Sequence, residues 1–195
     1  MSSPRREEIV EAAYRYVLDA GLAGASLRPL AEAVGSSTGV LRFLFESKDG
    51  LVAAVLARAR DEELAMLATI PADAGPADVA RTVWRWLADP GHRGLLRLWV
   101  ESYAASLQDD AGPWAGFAQA TVRDWLTVLA HAQPAGRRNT AAGRAERTAV
   151  LAVLRGAMLD LLATGDRART TRAVEAVLSA VTPAHRLPPS GTLGA

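Results

Sequence analysis

Gly35-Ser36-Ser37-Thr38-Gly39 fits the G-x-S-x-G spacing of a hydrolase nucleophile elbow, in which the central serine attacks a carbonyl carbon. The same residues also suit the turn and opening of a DNA-reading helix, where Ser37 caps the helix beside a phosphate. The two chemistries make opposite demands on what precedes Gly35. An elbow needs a β-strand that lifts the serine to the top of a sheet, with a base nearby. A reading helix needs a short helix before a tight turn.

The surrounding periodicity is helical almost everywhere. Ile9, Ala12, Ala13, Tyr16, Val17 and Ala20 form one apolar stripe, and Gly21 ends that first helix. Ser26 is placed to cap a second helix, LRPLAEAV, whose Pro29 falls in the first turn where no donor is lost. Gly35 stops it, and Ser36 or Ser37 caps a third, TGVLRFLF. Ser47 caps a fourth that runs from Lys48 to about Thr69, with Asp49 at its positive end. Further helices are expected over 76–88, 91–108, 113–132, 140–164 and 167–181, with a long loop over 133–143 and a disordered tail over 184–195. No segment alternates with the period of two that a strand requires. PLAEAV before Gly35 is therefore helix, and His92, His131 and His185 lie where nothing fixes a base near Ser37. In a chain with 16 glycines the G-x-S-x-G match carries little weight, and the chain is expected not to be an enzyme.

Composition narrows the classes further. With 195 residues, half of them hydrophobic, the chain can bury a real core. Its 22 basic and 21 acidic residues point to no partner by bulk charge. Absence of cysteine removes disulfides and thiolate chemistry, and no cofactor or metal is expected. MSSPRREEIV has no apolar run behind its arginines, and no stretch reaches the length of a bilayer span, so a soluble cytoplasmic protein is the expectation.

A helix-turn-helix needs a small residue where its two helices meet, a residue tolerant of positive φ in the turn, and an aliphatic anchor on the second helix. Ala31, Gly35 and Leu41 supply these at offsets of four and six, with Leu30, Val34 and Leu44 as apolar support. An ordinary helix pair joined by a glycine turn has the same spacing.

From Arg6 to Leu51 the chain resembles the TetR family of bacterial transcriptional regulators, through REEIVEAAYRYVLDAG, SLRPLAEAVGSSTGVLRFLF and ESKDGLVAAV. Phe45, Ser47, Lys48 and Leu51 stand where that family opens its long fourth helix, and LDLLATGD looks like its penultimate helix. The resemblance implies an all-α fold with three parts: a helix-turn-helix head over 1–50 joined by helix four, an effector-binding and dimerisation domain over 51–183, and the tail. It departs at Ser36, usually aliphatic, at Arg42, usually aromatic, and at Leu44, commonly tyrosine or histidine. Leu44 cannot donate a hydrogen bond, so either a contact is lost or the side chain packs inward.

On this basis Thr38, Val40, Arg42 and Phe43 are expected to meet base edges or sugars, and Ser26, Arg28, Ser37 and Lys48 to hold phosphates of a double-stranded operator. Charge offers no support: residues 1–50 carry Arg5, Arg6, Arg15, Arg28, Arg42 and Lys48 against Glu7, Glu8, Glu11, Asp19, Glu32, Glu46 and Asp49. The resemblance places a small, apolar or aromatic effector among Trp84, Leu95, Trp99, Tyr103, Trp114, Phe117, Thr121, Trp125, Arg155 and Met158, although core packing alone accounts for any one tryptophan. Glu101, Arg155 and Asp160 are placed to orient polar atoms, or to pair on the surface. It also implies a homodimer through Ala149, Ala152, Gly156, Leu159, Ala163, Val174, Val177 and Leu178, unless both faces of those helices are covered within one subunit. A regulator released from DNA by its effector is the first reading, and an all-helical small-molecule binder without operator binding is the second.

Overall fold

The computed structural model describes residues 4–21, 26–71, 73–108 and 112–181, and the expected tail over 184–195 lies outside them. Among the described residues ten α-helices follow one another: α1 (Pro4–Ala20), α2 (Leu27–Ala33), α3 (Thr38–Phe45), α4 (Lys48–Ala68), α5 (Pro76–Leu87), α6 (Arg93–Gln108), α7 (Phe117–Ala132), α8 (Ala135–Arg138), α9 (Ala141–Thr164) and α10 (Arg167–Val181). Among the described residues there is no strand, so a nucleophile elbow has no sheet to stand on.

Local chemistry sets most boundaries. Ser37 accepts a hydrogen bond from the Val40 N–H at 3.2 Å, and Ser47 accepts one from the Gly50 N–H at 3.0 Å. Ser26 occupies the N-cap of α2 but its side chain makes no capping bond. Three expectations need correction. Segment 91–108 begins with a 3₁₀ turn, Pro90–His92, and α6 proper starts at Arg93. Segment 113–132 starts as helix only at Phe117, because Gly112–Trp114 forms a 3₁₀ turn and Gly116 has φ +69°, which no right-handed helix accepts. The long loop over 133–143 contains α8, whose Arg138 donates to the carbonyls of Ala130 and His131 at the end of α7.

Apolar packing forms two clusters. One joins Ile9, Ala13, Tyr14 and Val17 of α1 to Leu30, Ala31, Leu41 and Phe45 of α2 and α3, and to Leu51, Val52 and Val55 of α4. The other gathers α5, α7, α9 and α10 around Val83, Trp84, Leu129, Leu154, Val174 and Leu178. Helix α6 contributes to both: Leu95 and Leu98 to the first, Leu96 to the second.

Two polar joints tie α1 to the rest. The Tyr14 hydroxyl donates to Glu62 at 3.0 Å, and Arg58 bonds Glu11 at 2.8 Å and Glu62 at 3.2 Å. The Arg58 guanidinium holds the Glu11 carboxyl below its ordinary range. At the far end of α1, Arg97 donates to the carbonyls of Leu18 and Asp19 at 2.8 and 2.9 Å, completing acceptors the helix leaves open. Gly94 permits this approach, since a Cβ there would lie 2.7 Å from the Leu18 carbonyl oxygen.

Candidate nucleic-acid interface and effector cavity

Helix α3 is short and divided by burial. Leu41 and Phe45 point into the head and are buried, while Thr38, Val40, Arg42 and Phe43 point outward. Phe43 is 85% exposed, a large cost in water for an aromatic ring that supports no packing. Leu44 is half-buried against the head cluster, so of the two possibilities left by the sequence it packs inward. Gly35 makes the turn at φ +62°, and the Ser36 N–H closes it onto the Ala31 carbonyl at 2.9 Å.

Around α3, Ser26, Arg28, Ser37 and Lys48 are all exposed. Arg28 is engaged with Glu32 on its own helix at 3.4 Å, an exposed pair of small energy that a phosphate can displace. Among the described residues Arg42 and Lys48 have no ionic partner. Lys48 stands at the first turn of α4, where unpaired backbone N–H groups favour an anion. Close approach of backbone fixes how α3 meets α4: a Cβ on Gly50 would lie 2.1 Å from the Phe45 carbonyl oxygen, and Glu46 between them is held at φ +64°.

A second site lies among α4, α5, α6, α7 and α9. It is an apolar cavity of about 50 Å³. Of the residues expected at an effector site, Leu95, Trp99, Phe117, Trp125, Arg155 and Met158 line it. Four other expected residues do not. Trp84 is buried in the core and its indole donates to Thr171 at 3.0 Å. Thr121 is buried with its hydroxyl on the Phe117 carbonyl at 2.7 Å. Trp114 packs against the head cluster, and Tyr103 stacks on Trp99 at 4.9 Å, one layer behind the wall. Sequence reasoning missed Leu56, Ala59, Arg60 and Glu63 of α4, and Trp86 of α5. The signal for α4 was present, because 56, 59, 60 and 63 follow the i, i+3, i+4, i+7 spacing of one helix face.

The cavity's polar groups are few. Arg60 pairs with Asp124 across α4 and α7. Glu63 accepts from the Trp125 indole, and burial pushes its carboxyl above the ordinary range. The Arg155 guanidinium lies over the rings of Trp99 and Tyr103, 5.2 and 5.1 Å from their centroids. Of the other charges considered, Asp160 bonds Arg169 at 2.6 Å, away from the cavity, and Glu101 lies against Gly21 at the end of α1. Among the described residues no group of His, Cys, Asp and Glu is arranged to hold a metal ion.

The expected dimer residues divide. Ala152, Gly156, Leu159 and Ala163 form an exposed stripe on α9, with Leu159 48% exposed; Ala149 and Val177 are half-buried. Val174 and Leu178 are completely covered inside the chain, a correction with a simple cause: that face of α10 packs on the core shared with α5 and α9.

No family model matches the chain. Over 107 residues it is 30% identical to the HTH-type transcriptional regulator BetI of Stenotrophomonas maltophilia, covering 53% of this chain and 55% of that one. Over 99 residues it is 40% identical to the HTH-type transcriptional repressor AcnR of Corynebacterium diphtheriae, covering 51% and 48%. The matches thus span about half the length of these curated relatives. The solved structure of a TetR-family member from Streptomyces coelicolor A3 superposes with a TM-score of 0.72 and 28% identity over 93% of this chain and 99% of that one. The chain is thus similar to a TetR-family structure over nearly its whole length. Another solved structure, the multidrug binding protein EbrR complexed with imidazole, gives a TM-score of 0.69 at 28% identity over 97% of this chain and 94% of that one. These relatives are regulators and binding proteins rather than enzymes. Among the described residues no helix is long and apolar enough to cross a membrane.

Proposed function

We propose that this chain is a dimeric regulator that binds a two-half-site operator through α3 and leaves it when a small, largely apolar or aromatic ligand enters the cavity. The observation that carries this reading is the outward face of α3, where Thr38, Val40, Arg42 and an 85% exposed Phe43 stand on a helix capped at Ser37. Arg42 supplies a donor fork suited to guanine O6 and N7 or to a phosphate, and Phe43 an apolar contact for a base methyl group or sugar. Ser26, Arg28, Ser37 and Lys48 are the phosphate contacts in this reading.

Coupling runs through α4. Arg58 and Glu62 grip α1, while Ala59 and Glu63, one residue further along each turn, line the cavity. Ligand pockets are commonly about 300–1,000 Å³, so a cavity of about 50 Å³ must widen to accept a ligand. Widening pushes on α4 and α6, and both are bonded to α1. A state in which the two heads are spaced wrongly for adjacent major grooves then gains population. The exposed α9 stripe and the Ala173, Ala176 and Ala180 side of α10 form the partner surface in this proposal.

Fluorescence anisotropy with labelled DNA flanking the chain's own gene tests the reading. Binding that falls on addition of a cavity ligand supports it; DNA affinity unchanged at saturating ligand sinks the coupling. A second reading, a ligand-binding protein without an operator, is favoured by the excess of carboxylates over cations in residues 1–50. Absence of any DNA binding alongside ligand binding would select it.

A further inference from the structure

We propose that the cavity takes a monocarboxylic acid with an apolar body, its carboxylate on the Arg155 guanidinium and its alkyl or aryl part between Trp99, Phe117, Trp125 and Met158. This inference rests on reading the cavity as the effector site.

Arg155 is what the cavity leaves unfinished. A guanidinium keeps its proton inside proteins and must find acceptors when it is withdrawn from water. Here the ring faces of Trp99 and Tyr103 cover its plane, but a ring face does not satisfy N–H groups that point outward in that plane. Its Nη1 reaches the Tyr103 hydroxyl only at 3.5 Å, the outer limit of a hydrogen bond. Its Nη2 is buried and has no acceptor among the described residues. A carboxylate fits this vacant edge because two oxygens match two N–H groups, in the geometry arginine uses for carboxylates elsewhere.

Charge in the cavity points the same way. Arg60 and Asp124 neutralise each other. Glu63 accepts from the Trp125 indole, and burial raises its carboxyl above the ordinary range, which weakens its hold on Arg155. Arg155 keeps a buried N–H edge without an acceptor, and an ammonium or other cation would meet its charge where water does little screening. Every other wall is leucine, methionine, alanine or an aromatic ring, so the remainder of the ligand must be apolar. An alkyl chain or a single-ring aryl group keeps the widening that entry requires small.

The test uses octanoate, octanol and octylammonium, with the fluorescence of Trp86, Trp99 and Trp125 as readout, since all three indoles line the cavity. Octanoate is expected to bind on the order of tenfold to a hundredfold more tightly than octanol, the range for hydrogen bonds to a charged group. Octylammonium should bind more weakly than either. In a folded Arg155→Met variant the preference for octanoate over octanol disappears while octanol still binds; Arg155→Lys retains part of it. Glu63→Gln, which removes residual negative charge, tightens octanoate. Equal or tighter binding of octanol or octylammonium, or octanoate binding indifferent to Arg155→Met, overturns the ligand class and leaves the cavity's role standing. No fluorescence response to any of the three overturns both.

Discussion

Replacing Gly50 with alanine gives a sharp test, because helix propensity and tertiary geometry predict opposite signs. Gly50 lies in the first turn of α4, and alanine in a helix is favoured over glycine by up to about 1 kcal/mol. Against this, the new Cβ would lie 2.1 Å from the Phe45 carbonyl oxygen and 3.2 Å from its carbon. Carbon and oxygen ordinarily approach no closer than about 3.3 Å, so roughly 1.2 Å must be recovered. The obstructing atom is backbone at the end of α3, so no side chain can swing aside, and Glu46 next to it is already held at φ +64°. Overpacking costs about 1–3 kcal/mol where neighbours adjust, and the upper end applies here. After the propensity gain the net loss is about 2 kcal/mol, or a fall in Tm of about 4–8 °C for a chain of this size. Thermal melts by circular dichroism measure this, and DNA anisotropy at a temperature well below the transition should show a further loss as α3 tilts. A Tm equal to or above that of the parent would refute the reasoning.

Arg42→Ala and Phe43→Ala should each leave Tm within about 2 °C, since surface changes rarely exceed about 0.5 kcal/mol; Arg42→Ala should cost about 1–3 kcal/mol in operator binding by anisotropy. Lys48→Ala should weaken binding and lower the slope of log affinity against log salt by about 1, and an unchanged slope removes Lys48 from the phosphate contacts. Leu159→Glu, on the exposed α9 stripe, should yield monomers by light scattering with little loss of subunit helicity. Val174→Ala should instead cost each subunit about 2 kcal/mol without dissociating it, because Val174 is fully covered within the chain. Burial raises the Glu63 carboxyl above its ordinary range, so the folded state binds that proton more readily than the unfolded one. Its unfavourable contribution is absent below the unfolded value and grows as pH rises to the folded one. Glu63→Gln should therefore raise Tm at pH 7 and change it little at pH 4, and an equal effect at both would contradict the assignment.

Much of the head was legible because its determinants are local. Ser37 caps the residue three positions on, Gly35 supplies the positive φ of the turn, and the spacing of Leu41 and Phe45 sets which face turns inward. The outward set Thr38, Val40, Arg42 and Phe43 follows from that periodicity alone. Legibility was poorer at the cavity. Trp84 and Trp86 differ by two positions and point to different neighbours, one bonded to Thr171 and one on the cavity wall. Nothing within α5 distinguishes them.

The succession of the longer helices, the Ser37 and Ser47 caps, the Gly35 turn and the divided faces of α3 came from the amino-acid sequence by itself, since each depends on residues within a turn or two of one another. The tertiary structure alone decided that Glu63 and Arg155 meet in one apolar cavity, that Val174 and Leu178 face inward, and that Gly50 admits no side chain. Those outcomes depend on which of several apolar faces meet across the fold, and helical periodicity marks a face as apolar without naming what covers it.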